Sequence, residues 1–308
     1  MAPLPIDESS SIAPVLFLAE TSEPAVLAVI TDIEGPSYRP LGAMMALTAS
    51  GTRVGSLSSG CVEADIALHA ERALEANMPK VVRYGRGSPF VDIQLPCGGG
   101  LEITLIPNPD RSVLQTVAER LTDRQPCALS FDMGSRDITV GPAQDTGIDG
   151  ARFHIRLDPE IYFYVFGKGP EAVTFAALVQ SAGFPNILCS PDHETLEAAA
   201  IGGSETHHLT SARFPADFAP DARSAVVLFF HDHDWEPEIL KGALASKAFY
   251  IGAQGSKRSA AARRAQLMAL GTAESDLKRL RGPIGLIPSA RDARKLAVSV
   301  LAEVMNEG

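Results

Sequence analysis

The chain has 308 residues, 45% hydrophobic and 21% charged, the balance of a globular protein with room for about two domains. A formal net charge of −10 argues against nucleic-acid binding, which needs basic patches to neutralise phosphates, but leaves room for a local cationic site that takes a small anion. No apolar run approaches the ~20 residues that span a bilayer, MAPLPIDESSSIAP lacks the features of a signal peptide, and four widely spaced cysteines form no CxxC pair, so a reducing cytoplasm is expected, without membrane contact, disulfide framework or standard zinc site.

In chain order, AVLAVITDIEG is apolar and β-branched, closes at Gly35 and predicts a strand. MMALTASGTRVGSL predicts two strands about a Ser50–Gly51 turn. From Val62 to Leu74 the apolar residues Val62, Ile66, Ala70 and Leu74 share one helical face, with Asp65, His69 and Arg72 off it. Gly60 serves as N-cap, and Glu63 follows three residues later as in a capping box. VDIQLPCGGGLEITLIP predicts two strands interrupted between Pro96 and Gly100.

From Asn108 to about Asp158 the pattern weakens into a helix over Val113–Leu121 and short strands rich in turn formers. This sets a first domain at 1–110, a connecting segment at 111–157 and a second domain at 158–308. In the second domain IYFYVFG, NILCSPD, SAVVLFF and AFYIG read as strands alternating with helices, two of them after the last strand. The expected class is α/β: a mixed α/β N-terminal domain plus a Rossmann-like, doubly wound parallel sheet.

Gly167, Gly169 and Ala172 match GxGxxG/A between a strand and a helix, where bare backbone lets N–H groups approach a phosphate. Asp192, at the end of the next strand, stands near where a dinucleotide fold keeps an acid for a ribose hydroxyl. The loop therefore suits NAD(P) or another nucleotide; the competing reading is that its glycines only solve strand-to-helix packing. Pro170 fits a first helical turn but removes one N–H. His231 and His233 sit two apart where a strand meets its loop, at the edge where such sheets bind ligands. A metal pair, a substrate contact and a structural role all remain open for them.

Cys61, at a helix start, would feel the positive end of the helix dipole, which lowers a thiol pKa. Ser58, Ser59 and Gly60 before it offer hydroxyls and bare backbone. Cys97 lies against Gly98, Gly99 and Gly100 in a loop with room for a bulky ligand. Two thiols in glycine-bearing loops suit a sulfur-handling site or a soft metal such as molybdenum or copper. Cys127 and Cys189 read as small buried hydrophobes.

LAVITDIEGPSYRPLGAMMALTASGTRVGSLSSGCVEADI and the PCGGGLEI loop resemble the N-terminal domain of the xanthine dehydrogenase accessory proteins, the XdhC/CoxI family. AVVLFFHDHDWEPEILKGAL, AFYIGAQGSKRSAAAR and GPIGLIPSARDARKLAVSVLAEV resemble that family's Rossmann domain, so the likeness covers nearly the whole chain. It implies a cytoplasmic maturation factor that binds molybdenum cofactor (molybdopterin), protects its sulfurated form and delivers it to a molybdenum hydroxylase apoenzyme of the xanthine, carbon monoxide or aldehyde dehydrogenase kind. It also implies a cysteine desulfurase-type sulfurtransferase as a further partner. Cys61 is then the cofactor contact, including to molybdenum, with Arg39 and Cys97 as companions. A homodimer is the expected assembly. The family loop often reads GxGxVA with His before the Val, where this chain has Pro170 and Glu171, and family members tend to carry an aspartate in GLDIGAR that is absent from Gly285–Arg291. Two rivals to a non-enzymatic chaperone stay open: an NAD(P)-dependent oxidoreductase built on Gly167, Gly169 and Asp192, and a scaffold that docks a partner without touching cofactor.

Overall fold

A computed structural model describes residues 10–58, 60, 62–88, 98–232 and 234–308. It divides into two compact units, Met1–Pro159 and Glu160–Gly308. No helix among the described residues is long and apolar enough to cross a membrane.

The first unit begins with α1 (Ala13–Glu20), β1 (Ala25–Glu34), β2 (Met44–Thr48), β3 (Arg53–Gly55), α2 (Glu63–Ala76), β4 (Lys80–Gly85) and β5 (Gly100–Pro107). The strands form an antiparallel sheet in the order β3-β2-β1-β5-β4. The long apolar run of β1 is explained by burial on both faces. Leu27 and Val29 enter a core with α1, while Val26, Ala28 and Ile30 enter another with Ile66 and Ala70 of α2. The two strands expected about Ser50–Gly51 are β2 and β3, and Gly51 takes a φ of +91° in the turn. The strand expected in VDIQL lies outside the described residues.

Residues 111–157, read from the sequence as a connecting segment, carry α3 (Arg111–Thr122), β6 (Cys127–Asp132), β7 (Ile138–Pro142), β8 (Gly147–Asp149) and β9 (Arg152–Leu157). These strands form a second antiparallel sheet, β7-β6-β9-β8. Leu114 and Val117 of α3 and Leu129, Phe131 and Phe153 of the sheet share the core with Leu27 and Val29. The segment folds within the first unit because its apolar residues cover one face of β1. Its turn-rich composition belongs to short strands and hid this role.

The second unit contains β10 (Tyr162–Gly167), α4 (Pro170–Ser181), β11 (Asn186–Ser190), α5 (His193–Ile201), β12 (Glu205–His208), β13 (Ser224–Phe229), α6 (Glu236–Ala245), β14 (Tyr250–Ala253), α7 (Lys257–Ala269), α8 (Glu274–Leu277), β15 (Leu280–Arg281) and α9 (Ala293–Glu307). Its sheet is parallel throughout, in the order β12-β11-β10-β13-β14-β15. That is the Rossmann order, with β10 and β13 at the point where winding reverses. Alternate residues again serve opposite faces: Ala225, Val227 and Phe229 pack with Phe175 and Val300, and Val226 and Leu228 pack with Ile239 and Leu267. Among the described residues, three helices follow β14 rather than two.

Candidate functional site

In the five-stranded sheet of the first unit, antiparallel pairing places the ends of β1, β3 and β4 at one edge, beside the starts of β2 and β5. The GPSYRPLG stretch with Arg39, the SLSSGCV stretch and the CGGG stretch therefore leave the sheet at a single end. Sequence reading found the three stretches separately; the strand topology brings them together.

The SLSSGCV stretch is organised by Glu63, whose side chain is turned back into it. Glu63 Oε1 accepts from the Ser56 hydroxyl (2.9 Å) and from the N–H groups of Leu57 (3.1 Å) and Ser58 (2.8 Å). Oε2 accepts from the Ser58 hydroxyl (2.5 Å) and from the N–H groups of Gly60 (2.9 Å) and Val62 (3.2 Å). Burial opposes the charge, but hydrogen bonds from the Ser58 hydroxyl and N–H and from Ser56 outweigh it and bring the carboxyl down to about 2. The capping-box expectation holds in one half: Glu63 reaches back to the Gly60 N–H. The helix itself starts later, at Glu63, with Val62 in the cap position and no side-chain cap. Gly60, at φ +106°, belongs to the loop. Ser59 and Cys61 lie outside the described residues, but the chain on either side of each is pinned to this one carboxylate.

The glycines after Cys97 make a close backbone contact. A Cβ at Gly99 would stand 2.1 Å from the Pro36 carbonyl oxygen. Only glycine lets the CGGG stretch press against the start of the loop that carries Arg39. Gly98 has a φ of +71° and open space around it. Cys97 itself is outside the described residues.

Arg39 is exposed and lines a cavity of about 540 Å³ that also contains Arg53, Ser56, Thr146 and Arg156. Arg53 escaped sequence reading because nothing in TASGTRVGS marks one arginine in a short strand.

One expectation about α2 fails. His69, placed off the apolar face, is buried at 5% exposure. It sits between Lys80 of β4 and Asp65 of its own helix, and Tyr84 of β4 donates to the same Asp65 (2.6 Å). The helix accepts these polar groups against the sheet because each meets a partner.

In the second unit two glycines of the loop are engaged within the fold. A Cβ at Gly167 would meet the Ala172 and Phe229 Cβ atoms at 2.9 Å each, so this glycine serves close strand–helix packing. The Gly169 N–H donates to Thr195 Oγ1 (3.0 Å). Asp192 caps α5, accepting from the Thr195 N–H (3.0 Å) and hydroxyl (2.6 Å), with Lys168 Nζ at 3.5 Å. The Thr195 hydroxyl bond is the main reason its carboxyl stays below the usual range. Glu171 stands in the first turn of α4, with its Oε2 3.4 Å from His231 Nε2. A carboxylate at this helix start opposes a bound pyrophosphate, and Pro170 supplies no N–H to one.

His231 is 71% exposed at the rim of a cavity of about 420 Å³ that also contains Glu171, Gln254, Ser259 and Arg291. The floor of that region is fixed by a buried ion pair: Arg263 meets Glu236 in a two-pronged contact (2.9 and 3.0 Å) and donates to the Gln254 carbonyl (2.8 Å). His233 lies outside the described residues. Among the described residues, no group of three or more His, Cys, Asp or Glu is placed to hold a metal ion. Cys127 and Cys189 are free, buried thiols whose pKa values burial raises, in keeping with core filler.

Comparison with known proteins bears on both units. Residues 18–85 match the XdhC and CoxI family, and residues 163–304 match the XdhC Rossmann domain. The chain is 35% identical over 281 residues to the molybdenum cofactor insertion chaperone PaoD of Escherichia coli (strain K12), covering 91% of this chain and 82% of that protein. It is 24% identical to a probable component of xanthine dehydrogenase from Bacillus subtilis (strain 168), over 94% of each. A crystal structure described as a xanthine dehydrogenase from Bacillus halodurans has the same fold, with a TM-score of 0.79 over 96% of this chain and 95% of that one, at 24% identity. Matches in both units, in the same order and over nearly the full length, show that the chain belongs to the XdhC and CoxI family.

Proposed function

We propose that the protein is a molybdenum cofactor insertion chaperone, which binds molybdopterin as cargo, protects its sulfurated form and hands it to a molybdenum hydroxylase apoenzyme in the cytoplasm. The observation that carries this reading is the convergence of the Arg39 loop, the Glu63-pinned SLSSGCV stretch and the glycine stretch after Cys97 at one end of one sheet. Likeness to PaoD over most of both chains supports it.

The donor set suits the cargo. A soft thiolate from Cys61, joined by Cys97, matches molybdenum and its sulfur ligands, and a guanidinium matches a phosphate. Cys61 and Cys97 are assigned here from their place in the sequence, between stretches that the fold brings together. A cysteine desulfurase-type sulfurtransferase and a second copy of the chain complete the proposed set of partners.

The dinucleotide alternative is supported by the Rossmann strand order and the Gly167–Gly169 loop. Against it stand the Gly169 N–H already given to Thr195, the Asp192 carboxylate engaged in capping α5, and Glu171 at the helix start.

The test is retention of isolated molybdenum cofactor on size separation, read as co-eluting molybdenum and pterin, with wild type beside Cys61→Ala. Retention by wild type and loss in the variant are expected. Failure of the wild type to retain cofactor overturns the chaperone reading, and equal retention by both removes Cys61 from it.

A further inference from the structure

The cavity of about 540 Å³ in the first unit has an unusual charge balance. Arg39 comes from the β1–β2 loop, Arg53 from β3 and Arg156 from β9, and no described residue lining it is acidic. Arg156 is held by Asp158 (2.8 Å) and by Asp145 (3.8 Å). No described carboxylate lies within ion-pairing distance of the Arg39 or Arg53 guanidinium. In a chain of net charge −10, two guanidiniums with no carboxylate partner among the described residues, and a third beside them, make a local cationic site.

The shape of the cavity is built in. Gly42 takes a φ of +81°, and a Cβ there would stand 2.6 Å from Thr146 Cγ2. Gly55 takes a φ of +86°, and a Cβ there would stand 2.6 Å from the Met44 carbonyl oxygen. The Thr146 hydroxyl is fixed by the Arg156 N–H at 3.0 Å. Leu41, Met44, Ile155 and Leu157 add an apolar side to the lining. Guanidinium forks match phosphate oxygens, and an apolar wall next to them matches an organic body.

We propose that this cavity is a binding site for a phosphate ester carrying an organic ring system, with Arg53 and Arg39 as the phosphate contacts. Ser56 belongs both to the cavity and to the stretch pinned by Glu63, to which its hydroxyl donates at 2.9 Å. On the chaperone reading, on which this part rests, the cavity takes the phosphate end of the cargo and the adjoining stretch takes its metal end.

The probe is inorganic pyrophosphate, titrated calorimetrically into the full chain at low ionic strength. The variants are Arg39→Gln, Arg53→Gln and the pair together. Arg83→Gln is the control, because Arg83 lies outside the cavity and already pairs with Asp32 and Glu34. One saturable site is expected in wild type and control, weakened about tenfold in each single cavity variant and lost in the double variant. No saturable site in wild type, or cavity variants that bind like the control, overturns the proposal. Arg39 and Arg53 are exposed and Arg83 is half-buried, and matched thermal melts verify folding.

A second arm separates the two readings by cofactor retention. If wild type retains molybdenum cofactor and the double variant retains it equally, the link between cavity and cargo falls while the chaperone reading stands. If wild type retains none but pyrophosphate binding still follows Arg39 and Arg53, the phosphate-ester site stands and the chaperone reading falls.

Discussion

Lys80 Nζ lies 2.8 Å from Nδ1 of the buried His69. An ammonium has only hydrogens to give, so Nδ1 accepts, and the assigned tautomer carries its proton on Nε2, 3.3 Å from Asp65 Oδ2. Burial first, then the Lys80 charge, lowers the His69 pKa, against a smaller opposing effect of Asp65. A histidine kept neutral by folding stabilises the fold above its unfolded pKa and loses that contribution as pH falls. Urea unfolding between about pH 7.5 and 5.5 is expected to show stability falling below about 6.5. Lys80→Met should flatten that dependence; an unchanged slope in the variant would remove the pair as its source.

Glu63→Gln tests the carboxylate that gathers six donors. An amide has one acceptor oxygen, and its NH₂ would face N–H groups. A loss of about 3 kcal/mol is expected by chemical denaturation, along with weaker cofactor retention. The wild-type contribution is complete above about pH 4.5 and disappears as pH falls towards about 2, because the folded-state pKa is the lower one. Ser58→Ala, which removes one donor, should lose less than Glu63→Gln.

The Glu236–Arg263 pair has side chains 2% exposed on both partners. Arg263→Leu strands a buried carboxylate and should cost about 3–5 kcal/mol. The double variant Glu236→Leu/Arg263→Leu should recover much of that loss in thermal denaturation, because an apolar pair leaves no charge unmatched. Recovery of nothing would mean that the Arg263 contact to the Gln254 carbonyl carries the stability instead.

Gly99→Ala puts a methyl group against the Pro36 carbonyl, where no room exists. Cofactor retention should fall, whereas Gly98→Ala, in open space though at positive φ, should disturb retention less. Equal effects would mean that the contact between the two stretches is unimportant to the cargo.

The Rossmann unit was legible because its strands are continuous apolar runs punctuated by glycine, and such runs announce burial on both faces. Cys61, Cys97 and Arg39 stand out by chemistry within glycine-rich surroundings, yet the convergence of the described residues that flank the two cysteines with the Arg39 loop depends on antiparallel pairing, which no local pattern encodes. Arg53 was invisible because its significance lies in which residues surround it, including residues 146–157 far along the chain. Helical periodicity counts polarity and so puts His69 off the apolar face, whereas Lys80 and Asp65 make its polar side chain suitable for the interior. Residues 111–157 read as a connector because β7 and β8 are short and largely exposed, and such strands share their composition with turns.

The Ser50–Gly51 turn joins β2 and β3 at the end of the sheet away from all three gathered stretches, with Ser50 exposed and open space around Gly51. That polarity gives the first unit a built-in handle. A fluorophore attached through Ser50→Cys, or a surface tether fixed there, leaves the opposite rim unobstructed. On the proposed function, cargo loading and transfer could then be followed on immobilised single molecules, with the label a full strand length from the proposed site.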